Sequence, residues 1–132
     1  MATTESLMKC VIAGSRAITD YEYVREAFLL CDWKDRITEI VSGKAKGVDT
    51  LGEEVAEEFG LEVGAFPADW NKYGRAAGPI RNGLMADYAD IAIVIMVSGG
   101  SSGSKNMVKQ MEKRKKPVMV FEITGDKLCR VK

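Results

Sequence analysis

The sequence predicts an α/β fold: a Rossmann-like doubly wound sheet of about five mainly parallel strands, with helices on both faces. Short apolar runs alternate along the chain with stretches whose apolar residues recur at helical spacing. The run DIAIVIMV at residues 90–97 is continuously apolar, which is typical of a central parallel strand buried on both faces.

The elements are expected in regular alternation. Strands are predicted at residues 8–13, 37–41, 61–66, 90–97 and 117–121. Helices lie between them, and the one after the third strand is expected to bury Ile80, Leu84 and Tyr88. The last residues, 122–132, fit either a short edge strand or a tail.

The length of 132 residues fits one domain, with residues 1–7 as a flexible N-terminus. The N-terminus lacks the basic and apolar regions of a signal peptide, so we expect a cytoplasmic protein. No apolar run approaches the length of a membrane span, so we expect no membrane partner.

Composition excludes several kinds of chemistry. The chain has no histidine, which removes Ser-His catalysis and histidine metal ligation. Its three cysteines form no CxxC pair, so we expect neither a zinc site nor a disulfide framework. We expect no other metal and no cofactor. Lys plus Arg and Asp plus Glu both number 19, and this zero net charge argues against nucleic acid as a partner.

Three polar loops follow predicted strands and precede predicted helices. The carboxyl ends of parallel strands meet at one edge of a sheet, and helix N-termini favour anions. We therefore expect a phosphate-bearing small molecule, such as a nucleotide, to bind there. The ligand-binding residues expected in these loops are Gly14, Ser15, Arg16, Ser42, Gly43, Gly47, Asp49, Gly99, Gly100, Ser101, Ser102, Gly103 and Ser104.

The polar stretch at residues 67–82 is long for a connection between a strand and a helix. Trp70 or Tyr73 is suited to stacking on a base or ribose, and Arg81 to bidentate pairing with a phosphate. The alternatives are a hydrophobic lid for Trp70 and a surface salt bridge for Arg81. Asp69 and Asn82 complete the candidate residues of this stretch.

Four motifs resemble the YspA-like family, also called the domain of unknown function 2493, within the SLOG superfamily. They lie at residues 14–16, 42–60, 66–85 and 98–107. The resemblance implies a Rossmann-like fold and a nucleotide-derived ligand. Its relatives include the LOG phosphoribohydrolases, the DNA-processing protein DprA and sensor domains for cyclic nucleotides.

Arg81, Asn82 and Met85 resemble the arginine segment of the LOG enzymes, and residues 98–107 their glycine-rich loop. Those enzymes carry a glutamate just after this loop, where this chain has Ser104, Lys105, Asn106 and Met107. A carboxylate stabilises the positive charge that develops as a glycosidic bond breaks. The departure favours binding over catalysis and makes Asn106 a candidate ligand-binding residue.

Three hypotheses follow. The first is a sensor or carrier that binds a nucleotide derivative. The second is a nucleoside-phosphate N-glycosidase, with Arg81 on the phosphate and Asp49 or Asp69 as the catalytic carboxylate. The third is a DprA-like nucleic-acid module that uses Arg75 and the basic run at residues 113–116, a run that equally fits a solvated helix end. Relatives often dimerise through apolar helix faces, which leaves a homo-oligomer open.

Overall fold

A computed structural model describes residues 7–132, so the expected flexible N-terminus lies outside the described residues except for Leu7. The elements in chain order are β1 (Met8–Gly14), α1 (Tyr21–Leu29), a 3-10 turn (Lys34–Arg36), β2 (Ile37–Ser42), α2 (Val48–Phe59), β3 (Glu62–Ala65), α3 (Trp70–Tyr73), a second 3-10 turn (Gly74–Ala76), α4 (Ala77–Tyr88), β4 (Ile91–Val97), α5 (Ser102–Lys113), β5 (Val118–Thr124) and β6 (Lys127–Arg130). Within residues 7–132 no helix has both the length and the apolar character needed to cross a membrane.

The strands form one sheet in the order β3-β2-β1-β4-β5-β6. Strands β1 to β5 pair in parallel, and β6 pairs antiparallel with β5. The prediction of a doubly wound, mainly parallel sheet is confirmed, and residues 127–130 prove to be the edge strand. A tight turn precedes this strand, and Gly125 takes a positive φ of 64° in it.

Two hydrophobic cores lie on the two faces of the sheet. Ile12 and Ile93 pack with residues of α1 and α2 on one face. Their neighbours Val11 and Val94 pack with residues of α4 and α5 on the other face. This alternation follows from the pleat of a strand, which points successive side chains to opposite faces.

The buried face of α4 differs from the prediction. Ile80, Leu84 and Tyr88 are 38%, 54% and 40% exposed, whereas Met85 and Ala86 are fully buried. The inner face, where α4 packs against α5 and β1, instead carries a mixed set of small residues, one amide and one large apolar side chain: Ala77, Gly78, Asn82, Met85 and Ala86.

Candidate ligand-binding site

A cavity of about 710 Å³ opens at the carboxyl ends of β1 and β4, the point where the strand order reverses. Its polar and charged walls come from the three predicted loops and from residues 70–82. The lining residues are Ala13, Gly14, Ser15, Arg16, Ala17, Ala45, Asp49, Trp70, Arg75, Gly78, Pro79, Arg81, Asn82, Val97, Ser101, Ser102, Gly103, Ser104, Asn106 and Met107.

The first loop joins β1 to β4 at the floor of the cavity. The backbone N–H of Ser15 donates to the carbonyl of Ile95 at 3.0 Å, and its Oγ accepts from the N–H of Val97 at 3.1 Å. A Cβ at Gly14 would lie 1.9 Å from the Ile95 carbonyl oxygen, so only glycine fits this close approach. Arg16 lies next to this joint, exposed and on the cavity wall.

The second loop contributes fewer ligand-facing residues than predicted, because Ser42, Gly43 and Gly47 do not line the cavity. The Ser42 hydroxyl donates to Glu53 Oε2 at 2.7 Å and accepts from the N–H of Lys44 at 3.1 Å, so it holds the loop in place. Gly47 has a φ of 77° and packs against the first loop, where its Cβ would lie 2.4 Å from the carbonyl oxygen of Ser15.

Asp49 lies in the first turn of α2 and is only 4% exposed. Its Oδ2 accepts from the N–H of Ala45 at 3.4 Å. Burial raises the pKa of Asp49 to about 6, against the opposing effects of Arg81, of the N–H groups of Ala45 and Gly14, and of Arg16. The carboxyl therefore changes charge close to neutral pH on the wall of the cavity.

Arg81 is half-buried on α4, and the protein holds two of its nitrogen atoms. Nη1 donates to the carbonyl of Gly43 at 2.5 Å, and Nε donates to Oδ1 of Asn82 at 3.0 Å. Burial lowers the pKa of Arg81, while the nearby Asp49 opposes that effect. Within residues 7–132 no acceptor bonds to Nη2, so one arm of the guanidinium remains for a ligand.

The third loop is shorter than predicted, because α5 begins at Ser102 and the turn covers residues 98–101. Ser101 caps the helix, and its Oγ accepts from the N–H of Ser104 at 3.3 Å. Gly99 and Gly100 take positive φ values of 92° and 68° and do not line the cavity, so they shape the turn. The first turn of α5 therefore faces the cavity, as expected of an anion site at a helix N-terminus.

Residues 69–76 lie beside the cavity, and two of them, Trp70 and Arg75, line it. Trp70 is 49% exposed and lines it, whereas Tyr73 and Asp69 do not. The Asp69 carboxylate accepts from the N–H of Lys72 at 3.0 Å and caps α3. Arg75 lines the cavity, although the sequence suggested it only as a nucleic-acid contact. The sequence offered one signal for this position, since Arg75 falls in the same polar stretch, residues 67–82, as Arg81.

The charge of the cavity is positive in balance. Three arginines and one aspartate line it, and the N-termini of α2 and α5 add their partial positive charge. Such walls suit an anionic ligand. Within residues 7–132 no group of three or more Asp, Glu or Cys side chains is arranged to hold a metal ion.

The basic run at residues 113–116 lies away from the cavity, and half of it has structural partners. Lys116 Nζ donates to the carbonyls of Ala86 and Ala89 at 2.8 and 2.7 Å, at the end of α4. Arg114 pairs with Asp87 at 2.6 Å. These two side chains hold α4 against α5, which fits the interpretation of the run as a helix end.

The chain is similar to known proteins both in sequence family and in fold. A model described as "YAcAr: YspA, cpYpsA-related SLOG family" matches residues 8–73, half of the chain. No curated protein sequence shows significant similarity to the chain. Two solved structures share the fold at 21% sequence identity. The DNA-processing protein A (DprA) of Streptococcus pneumoniae has a TM-score of 0.64, and that of Helicobacter pylori has one of 0.59.

The alignments cover 91% and 87% of this chain but only 51% and 65% of those proteins. The Helicobacter pylori structure is described by its single-stranded DNA binding mode. The expectation that zero net charge speaks against nucleic acid is therefore wrong as an argument, because this fold occurs in a protein that binds single-stranded DNA.

Proposed function

Because the chain belongs to the YspA, cpYpsA-related SLOG family, we propose that its cavity binds the phosphate of a nucleotide or nucleotide-derived small molecule, as a sensor or carrier. The observation that supports this most is the position of Arg81. Gly43 and Asn82 hold the guanidinium on the cavity wall, and its remaining arm is free to pair with an anion.

The phosphate would lie between Arg81 and the first turn of α5. The N–H groups of Ser102 and Gly103 are among those that a helix N-terminus leaves without helical partners. A Cβ at Gly103 would meet no atom within 4 Å, which leaves open space where a ligand can approach the backbone. Arg16 supplies further positive charge from the first loop.

The rest of the nucleotide would extend toward the rim. Trp70 presents an exposed ring at the mouth of the cavity, close to Gly78, where a Cβ would lie 3.4 Å from the Trp70 ring. An aromatic ring in this position can stack on any base, since every base has a flat π face. We expect affinity for nucleotides to exceed affinity for inorganic phosphate for this reason.

The geometry supports binding rather than cleavage of a glycosidic bond. Asp69 is used as a helix cap outside the cavity, and Asn106 supplies a neutral amide. Among the lining residues within 7–132, Asp49 is the only carboxylate, and its raised pKa weakens it as a stabiliser of positive charge. An N-glycosidase would have to work with Asp49 alone.

A second candidate function is binding of single-stranded nucleic acid. The exposed Trp70 and the arginines Arg16 and Arg75 all line the cavity, and a stacking ring with nearby cations is the combination that proteins use to bind single strands. The structural neighbour with a single-stranded DNA binding mode shares this fold. In this version the cavity would take one backbone phosphate of the strand.

The test is a panel of nucleoside mono-, di- and cyclic phosphates, ADP-ribose and a short oligonucleotide, with calorimetric affinity and released base both measured. We expect binding without release, and about a tenfold or larger loss in Arg81→Gln. Arg25→Gln removes an equal charge from α1 and should bind as the wild type does. Release of base would contradict the sensor function and direct attention to Asp49.

A preference for the oligonucleotide, with affinity that falls steeply as salt rises, would favour the second candidate. If neither nucleotides nor the oligonucleotide bind, the proposal of a phosphate site is wrong.

A further inference from the structure

A chain of hydrogen bonds crosses from α4 to α5 beside the cavity. Arg81 Nε donates to Asn82 Oδ1 at 3.0 Å. Asn82 Nδ2 in turn donates to the carbonyl of Gly103 at 3.3 Å and to Asn106 Oδ1 at 3.0 Å. Three side chains and one carbonyl therefore share a single connected network.

The direction of this network is fixed chemically. A guanidinium has donors but no acceptor, so the oxygen of Asn82 must face Arg81. The carbonyl of Gly103 can only accept, so the amide nitrogen of Asn82 must face α5. Two independent partners thus determine which way the Asn82 amide points. The Asn82 nitrogen donates its second hydrogen to Asn106, so Asn106 must present its side-chain oxygen.

The orientation of Asn106 follows. Its Oδ1 is turned to Asn82, so its Nδ2 points away from Asn82. Within residues 7–132 no group accepts from this nitrogen, and no buried side-chain nitrogen or oxygen lacks a partner. Nδ2 is therefore open to solvent, and Asn106 lines the cavity.

We propose that Asn106 is a specificity-determining residue that donates its Nδ2–H to an oxygen of the bound phosphate, with the direction of its amide set by Arg81 through Asn82. This inference rests on the proposed phosphate site. The two ends of the network, Arg81 Nη2 and Asn106 Nδ2, are donors of residues that line the cavity. The site accepts an anionic oxygen at this point and rejects an ammonium group, which offers only donors.

The decisive substitution is Asn106→Asp. An aspartate can still accept from Asn82, so the interior bond survives, but a charged oxygen replaces the outward donor. With inorganic phosphate and adenosine 5′-monophosphate as probes, we expect the affinity to fall by about 10- to 100-fold. Gln110→Glu makes the same amide-to-carboxylate change one turn later on α5, beside Arg114, and should retain the wild-type affinity.

Wild-type protein labelled with ¹⁵N gives a second readout that does not depend on any variant. Added phosphate should shift a side-chain amide proton of Asn106 downfield and leave the Gln110 amide in place. If phosphate shifts the Arg81 Nε signal while Asn106 is unaffected, or if Asn106→Asp binds as well as wild type, the inference is wrong and the phosphate site stands. If phosphate shifts no signal of the cavity, the site itself is wrong as well.

Discussion

Asp49 and Arg81 reach the same point above Gly43. A Cβ at Gly43 would lie 2.5 Å from Arg81 Nη1 and 2.7 Å from Asp49 Oδ2. Gly43 has no positive φ, so the close side chains, and not the backbone conformation, require glycine here. Because Gly43 has no side chain, the Asp49 carboxyl and the Arg81 guanidinium can both lie close to it.

Gly43→Ala should therefore change ligand binding more than stability. The added methyl group displaces the ends of the Arg81 and Asp49 side chains, and these ends can move because they border an open cavity. We expect weaker nucleotide binding, with a change of less than about 1 kcal/mol in the free energy of unfolding in urea.

Gly83→Ala is the matched control for this change. Gly83 lies within α4, and its Cβ would meet no atom closer than 3.5 Å. Alanine is the better helix former, so the control should gain about 0.5–1 kcal/mol. Equal effects of the two substitutions would contradict the crowding above Gly43.

The raised pKa of Asp49 predicts that the free energy of unfolding depends on pH. Its pKa rises from 3.8 to about 6 on folding, so the native state binds a proton more readily than the unfolded state. The contribution of Asp49 to stability is thus fully present below about pH 4 and is lost as the pH rises through about 6. The loss is about 3 kcal/mol.

Comparison of wild type with Asp49→Asn isolates this contribution, because the other groups titrate in both proteins. Urea unfolding at pH 4 and pH 7 should show the difference between the two proteins moving in favour of the variant by about 2 kcal/mol, because part of the loss has already occurred at pH 4. A difference that stays constant between these pH values would show that folding does not raise the pKa of Asp49.

The substitution Trp70→Ala tests whether Trp70 contacts the base of a nucleotide rather than its phosphate. The ring is about half exposed, so the fold should tolerate its removal. We expect nucleotide affinity to fall by about tenfold, since stacking on a base contributes about 1–3 kcal/mol. Affinity for inorganic pyrophosphate, which has no base, should not change. An equal loss for both ligands in calorimetry would assign Trp70 a structural role.

Lys116 should matter for stability, in contrast to its neighbour Lys113. Lys116→Met leaves the carbonyls at the end of α4 without their donor and should cost about 1–3 kcal/mol. Lys113→Met removes the same charge from an exposed position and should change stability by less than about 0.5 kcal/mol. Thermal unfolding of both variants checks the difference.

Periodicity was sufficient to predict the fold, because a parallel sheet covered by helices imposes one pattern along the whole chain. It was insufficient for α4, where large apolar residues were expected inside. Tyr88 instead bonds to Glu39 at 2.7 Å on the surface. The buried face of this helix combines Gly78, Asn82 and Ala86 with Met85, and a search for stripes of large apolar residues undervalues such a mixed set.

Part of the candidate site could be anticipated from chain order, since Arg16, Asp49 and Ser104 follow the ends of strands. The direction of each side chain could not, because it depends on partners that are distant in sequence. The Ser42 hydroxyl donates a hydrogen bond to Glu53, and no local sequence pattern predicts that bond. Asp69 could have been identified as a helix cap, since an aspartate before a short polar helix is a common N-terminal signal.

The pairing of β1 with β4 has a consequence for how the protein assembles. Ser15 and Val97, which join these strands at the floor of the cavity, are 82 residues apart in the chain. Contacts between distant segments form late, because closing a long loop carries a large entropic cost. During synthesis, β1 and β4 can therefore pair at the floor of the cavity only after most of the chain has emerged from the ribosome. A ligand that contacts both strands would stabilise their pairing, and it would slow amide hydrogen exchange more in β1 and β4 than in the other strands.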